Sequence, residues 1–131
     1  MSAAPAPLVL IVEDEVLIRY GIADEFRNHG WQVLEADKGE TAVETLLGNH
    51  IDVLLTDIRL AGSMTGWEVA EALREHRPDA PVIYASGNGR EPLRQVKGSL
   101  FFSKPYDPKA VVVASHALVQ GGLSEALHPL Y

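Results

Sequence analysis

The chain alternates short apolar runs with longer segments whose apolar residues recur every three or four positions. Leu8–Val12 is short and uniformly apolar, as a strand buried on both faces should be. Residues 15–28 then place Ile18, Ile22 and Phe26 on one helical face, with Arg19, Glu25 and Arg27 elsewhere. Gly30 is placed to end that helix. Residues 31–36 mix polar and apolar positions, which predicts an exposed edge strand. Asp37 is placed to cap a helix whose apolar stripe is Ala42, Val43, Leu46 and Leu47. Residues 52–56 predict the third strand, and a polar, Gly-containing loop follows over 59–65. Thr65 is placed to cap a helix through about His76 that carries Val69, Ala70 and Leu73. After a Pro-rich turn, residues 81–85 predict the fourth strand. Gly87-Asn-Gly89 is too flexible to continue it, and a short, weakly patterned helix is expected over 91–96. Leu100–Ser103 is the fifth strand. Asp107-Pro108 combines an N-cap with proline at the first helical position. The last helix is expected to bury Val111, Ala114 and Leu118 and to stop near Gly121-Gly122.

Five alternations of strand and helix predict an α/β fold, a five-stranded parallel sheet doubly wound with helices on both faces. Right-handed crossovers impose that arrangement. A length of 131 residues suits one domain, expected over 8–121 between short tails at 1–7 and 122–131.

Cysteine is absent, which excludes disulfides, thiolate catalysis and Cys-based zinc sites. The net charge of -7, from 18 acidic and 11 basic residues, argues against non-specific binding to nucleic acid or anionic membrane. No apolar run reaches membrane-spanning length, and the Ala/Pro-rich first residues lack signal-peptide character. A cytoplasmic location is the expectation.

The chemistry gathers where the apolar runs end. The first runs into Glu13-Asp14-Glu15, the third into Asp57, the fourth into Ser86-Gly87, and the fifth into Lys104-Pro105. In open α/β sheets the ligand crevice lies at the carboxyl ends of the strands, where strand order reverses. Glu13, Asp14 and Asp57 in one small site would repel one another and call for a cation. Oxygen-only ligands suit Mg2+. Lys104 is placed to pair with Asp57 or with a phosphoryl oxygen. A Lys-Pro step at a strand end suits a cis bond. Gly87 leaves room for a phosphoryl group beside the Ser86 hydroxyl. Each feature also has a plainer reading when taken singly. Glu13 and Asp14 can serve the dipole of the first helix, Lys104 can be a surface lysine, and Ser86 a turn serine. Their joint occurrence at four strand ends favours the site.

Four motifs carry a family resemblance: Ile11-Val-Glu-Asp-Glu15, Leu54-Leu-Thr-Asp-Ile58, Tyr84-Ala-Ser-Gly87 and Phe102-Ser-Lys-Pro105. In this order and spacing the chain resembles the receiver domain of two-component response regulators, from about Leu8 to Val119. It also resembles the stand-alone receivers of alphaproteobacteria. The resemblance implies a flavodoxin-like strand order 2-1-3-4-5 and phosphoryl transfer from a histidine kinase or histidine phosphotransfer protein. It implies Asp57 as phosphoacceptor and Glu13, Asp14, Asp57 and the Arg59 backbone carbonyl as the Mg2+ site. Ser86 and Lys104 would assist the transfer, the Gly87 N–H would bind the phosphoryl group, and Ser86 and Phe101 would form the switch. An unspecified downstream protein, no direct nucleic-acid or membrane contact, and a monomer or weak homodimer complete the expectation. The output face is expected along 91–96, the fifth strand and the last helix.

Three departures stand out. Ala61 lies where the family usually has proline, and the loop after Asp57 is slightly long. The stretch 88–99 is short for a fourth helix, and Phe101 lacks the hydroxyl of the commoner tyrosine. Two rivals differ in class. A phosphorylation-independent scaffold has no need of the intact acidic, hydroxyl and lysine set. A small Mg2+-dependent phosphohydrolase would need a second acid just after Asp57, where Ile58 and Arg59 stand.

Overall fold

The computed structural model of the protein describes residues 5–87 and 94–121. The elements run β1 (Leu8–Val12), α1 (Val16–Asn28), β2 (Gln32–Ala36), α2 (Gly39–Gly48), β3 (Val53–Asp57), α3 (Gly66–His76), β4 (Val82–Ser86), β5 (Leu100–Ser103) and α4 (Pro108–Gln120). All pairings in the sheet are parallel, in the order β2-β1-β3-β4-β5. The order reverses between β1 and β3, so the crevice predicted at the strand ends opens between Val12 and Asp57.

Alternate side chains of each strand point to opposite faces, and the two faces fill separately. Leu10, Val12, Leu54 and Tyr84 pack with Ala42 and Leu46 of α2 and with Val69 and Leu73 of α3. Val9, Ile11, Val53 and Ile83 pack with Ile22 and Phe26 of α1 and with Val111 and Val112 of α4. β1, β3 and β4 are covered on both sides and lie inside. β2 is the expected edge strand. β5, the other edge, alternates: Leu100 and Phe102 are half-buried while Phe101 and Ser103 are exposed.

Several details differ from the sequence expectation. β3 includes Asp57 and starts after Asp52, whose carboxylate instead accepts from Leu8 N–H at 2.7 Å. The N-cap of α2 is Lys38, not Asp37, and it carries no side-chain cap. The backbone there is drawn into a bridge between Lys38 and Ala61. Leu47 falls outside the apolar stripe and is 60% exposed. In α4 the fully buried positions are Val111, Val112 and Ser115, while Ala114 and Leu118 are half-buried against the same cluster. Part of the helix expected over 91–96 and of the hinge at 87–89 lies outside the described residues. Residues 94–96 themselves are not helical. They are tied down from outside: Val96 N–H donates to the buried Tyr84 hydroxyl at 3.0 Å, and Arg94 forms a forked ion pair with Glu71 at 2.9 and 2.8 Å. At the other end, Gln32 donates to the carbonyls of Ala6 and Pro7, so the part of the first tail nearest β1 is fixed to β2.

The remaining expectations on local structure are met. Thr65 caps α3 through a reciprocal capping box with Glu68. Asp107 caps α4 with Pro108 behind it. The Lys104-Pro105 bond is cis.

Candidate functional site

Glu13 leaves the end of β1 with its N–H still in the ladder, donating to Ala36 O at 3.0 Å. Its side chain is buried, and one carboxylate oxygen accepts from Glu15 N–H at 3.1 Å. Asp57, at the last position of β3, is 8% exposed. Its Oδ1 accepts from Ile58 N–H at 2.7 Å. Lys104 reaches between the two acids, its Nζ 2.6 Å from Glu13 Oε1 and 2.8 Å from Asp57 Oδ2. Glu13, Asp14 and Asp57 each present a carboxylate oxygen within 4.8 Å of one another. This donor set is all hard oxygen, the kind that fits Mg2+.

Lys104 is held in place by more than its charge. Its own N–H donates to Ser86 O at 2.9 Å, one step past the last paired residues, Ser86 and Ser103. The ladder between β4 and β5 therefore mounts Ser86 and Lys104 on one rigid edge. Ser86 is buried and Gly87 exposed. A side chain at Gly87 would meet nothing within 4 Å. Arg59 is exposed two residues beyond Asp57. Phe101 lies on the outer side of β5, 38% exposed.

The electrostatics are those of a crowded acidic site with one cation. Burial pushes the Glu13 carboxyl above the usual glutamate value, with the Asp57 charge adding to it and the hydrogen bond from Lys104 opposing. Burial works against the Lys104 ammonium, yet hydrogen bonds to Asp57 and Glu13 and their charges outweigh it and raise its pKa. The Tyr106 phenol is pushed up to about 12, first by burial and then by the Glu13 charge.

Sequence reasoning missed two participants. Tyr106 faces the acidic set electrostatically, and its only signal was an aromatic residue after Lys-Pro. Gly66 was passed over as the residue after a helix cap. A Cβ there would lie 1.9 Å from Asp57 O. Gly66 N–H also donates to Ile58 O at 2.8 Å, so the start of α3 sits directly on the backbone at the end of β3. The long loop between them is pinned as well: Glu40 of α2 accepts from Ser63 N–H at 3.3 Å and from its hydroxyl at 3.0 Å.

Residues 9–115 match the family described as the response regulator receiver domain. The chain belongs to that family. This receiver domain is 28% identical over 113 residues to the autoinducer 1 sensor kinase/phosphatase LuxN of Vibrio campbellii, covering 86% of this chain and 13% of LuxN. It is 32% identical over 117 residues to the transcriptional regulatory protein SrrA of Staphylococcus aureus, covering 86% of this chain and 47% of SrrA. The receiver thus spans only part of these curated relatives. Among solved structures, a response regulator receiver protein from Sinorhizobium medicae matches with a TM-score of 0.82 and 29% identity, covering 89% of this chain and 97% of that one. The receiver domain of the hybrid histidine kinase CckA matches with a TM-score of 0.75 and 31% identity, covering 86% of this chain and 99% of that one. Among the described residues, no helix is long and apolar enough to cross a membrane.

Proposed function

We propose that Asp57 is the phosphoacceptor of this receiver and takes a phosphoryl group from a phosphohistidine on a kinase or phosphotransfer protein. One observation carries the reading. A nearly buried aspartate at the switch point of the sheet shares a single lysine with a second buried acid, and a third acid stands beside them. An Asp57 oxygen attacks phosphorus, the P–N bond to the donor imidazole breaks, and the imidazole leaves. Negative charge spreads over the equatorial oxygens, so the protein's work is positioning and neutralisation. Lys104 turns from the carboxylate to a phosphoryl oxygen, and the Ser86 hydroxyl and Gly87 N–H meet the others. Asp14, Asp57 and the Arg59 carbonyl would hold Mg2+, with Glu13 supporting them, and the ion would neutralise the charge that develops on the transferring group. Phosphorylation then biases Ser86 and Phe101, a local charge event acting on a two-state element. A groove of about 480 Å³ beside the site, lined by Leu17, Ile18, Gly21, Lys104, Pro105 and Tyr106, gives the donor an apolar wall to approach.

The test uses a small donor. Acetyl phosphate with Mg2+ is expected to add one phosphate, seen by intact mass spectrometry, and Asp57→Asn is expected to lose it. An adduct that persists in Asp57→Asn places the acceptor elsewhere.

A second expectation concerns Glu13 without metal. Its folded pKa is raised, so the native state binds a proton more readily than the unfolded chain does. Ionised Glu13 is then a cost that is present above its folded pKa and relieved as pH falls through it toward the unfolded value. Glu13→Gln is expected to melt higher than the parent at neutral pH in chelator, and the gain is expected to shrink on acidification. Saturating Mg2+ is expected to narrow or reverse the difference. Thermal melts at several pH values, with and without Mg2+, measure both effects. A Glu13→Gln deficit in chelator at neutral pH contradicts the assignment.

A further inference from the structure

We infer that Arg19 is a positioning residue for the cation site, fixing the Glu13–Asp14 peptide through its carbonyl; the inference rests on the Mg2+ reading above. Arg19 lies in the second turn of α1, and its side chain is 14% exposed. Its Nη1 donates to Glu13 O at 2.8 Å, and its Nε donates to Glu35 Oε1 of β2 at 3.1 Å. Glu35 in turn accepts from Arg27 at 3.1 Å. The Glu13 backbone is therefore held in both flanking peptides, its N–H by Ala36 O and its C=O, which belongs to the peptide with Asp14, by Arg19. That carbonyl begins the peptide leading into Asp14, so its direction sets where both acidic side chains point. No hydrogen bond on the Asp14 side chain is found among the described residues, which leaves its orientation to the backbone. Groups that hold ligands, rather than bind the ion, commonly set affinity by about 10- to 100-fold.

Two effects of Arg19 oppose each other. Its positive charge disfavours a nearby cation, and its hydrogen bond orders the ligands. Glu35 offsets part of that charge at contact distance, although it is shared with Arg27, and the direct hydrogen bond to the Glu13 carbonyl makes ordering the larger effect. A planar guanidinium also supplies two donors in fixed directions, which an ammonium cannot.

The experiment is a Mg2+ titration of the full chain by calorimetry or NMR, run beside thermal melts in chelator. Arg19→Ala is expected to raise the Mg2+ Kd by about tenfold or more. Arg19→Lys is expected to recover part of the loss, and Glu35→Gln to show a smaller loss, because the guanidinium loses its charged anchor. Arg27→Ala, at the exposed end of the chain of contacts, is expected to stay within about twofold. A lower melting temperature in Arg19→Ala with unchanged or tighter Mg2+ binding overturns the proposal and leaves Arg19 a purely structural residue. If Arg19→Ala does not fold, an unchanged Kd in Glu35→Gln overturns it instead. Absence of Mg2+ binding in the parent removes the underlying reading, an outcome distinct from a parent that binds and an Arg19→Ala that binds equally well.

Discussion

Gly66→Ala is expected to unfold the protein or to leave it severely destabilised. In an ordinary helix the same change is favourable by roughly 0.5–1 kcal/mol, because alanine gives up less backbone freedom. Gly66 reverses the sign. Its missing Cβ would fall 1.9 Å from Asp57 O, 2.8 Å from Asp57 C and 2.9 Å from Ile58 Cα. All three are backbone atoms at the end of β3 or one residue beyond it, and none can swing aside as a side-chain tip could. Relief requires α3 to lift from β3, which breaks the Gly66 N–H bond to Ile58 O and opens the packing around Trp67, Val69 and Leu73. A loss above about 4 kcal/mol is in the range of such strain, a large share of the roughly 5–15 kcal/mol that holds a domain folded. Urea melts followed by circular dichroism measure it. Gly21→Ala is the control: it lies within α1, a Cβ there meets nothing within 4 Å, and the usual small stabilisation is expected. Equal stability of Gly66→Ala and the parent would show that the contact between α3 and β3 is looser than described.

Lys104→Ala is expected to have the second largest effect, on stability and on phosphorylation together. The Lys104 side chain is 13% exposed, and those of Glu13 and Asp57 are 4% and 9% exposed. Removing the shared cation leaves two buried carboxylates facing each other. Breaking a buried pair in this way typically costs about 3–5 kcal/mol. Because the Glu13 pKa is already raised, first by burial, its protonation is expected to soften the loss as pH falls. The raised Lys104 pKa means its own contribution is fully present below the unfolded lysine value and is lost only as pH rises through the folded one, in strong alkali. Across the neutral range the deficit therefore follows the acids. Mg2+ is expected to return part of it. A double-mutant cycle with Glu13→Gln is expected to give less loss than the sum of the single changes. The rate of acylphosphate formation from acetyl phosphate is expected to fall by about a hundredfold or more, the usual effect of removing one preorganised donor. A Lys104→Ala protein as stable as the parent in chelator, or one phosphorylated at the parent's rate, contradicts this role.

The sheet was legible because its inner strands are nearly continuous apolar runs that turn polar only toward their carboxyl ends, and because its helices keep a clear three-to-four spacing. The polar groups at the strand ends were legible for the same reason: Asp57 and Lys104 each interrupt a run that has no local use for a charge. Contacts made by absence were not legible. Nothing in the string around Thr65-Gly66 distinguishes a glycine that avoids a strand backbone from one that merely follows a cap. The start of α2 misled for a related reason. Asp37 has good capping chemistry, but the bridge of Lys38 to Ala61 and the close approach of Gly39 to Met64 set where the helix begins. Leu47 misled because it adjoins Leu46 on a helix with a narrow buried face. Tyr84 shows the reverse case: its position in a buried strand was evident, but its hydroxyl bond to Val96 N–H depends on where a distant segment returns.

The separation of the core into two layers has an optical consequence. Each layer holds one tryptophan. Trp31 stacks edge-on against Phe26, ring centres 5.1 Å apart, on the side of α1 and α4. Trp67 lies 4.7 Å from the Tyr84 ring on the side of α2 and α3. Both indoles are about 5% exposed, so each emits from a dry environment that water reaches only when its own layer opens. Replacing one indole by phenylalanine leaves the other as a single reporter. Trp67, seated between Gly66 and the tyrosine that anchors Val96, then registers events at the end of β3, while Trp31 registers the opposite face of the sheet.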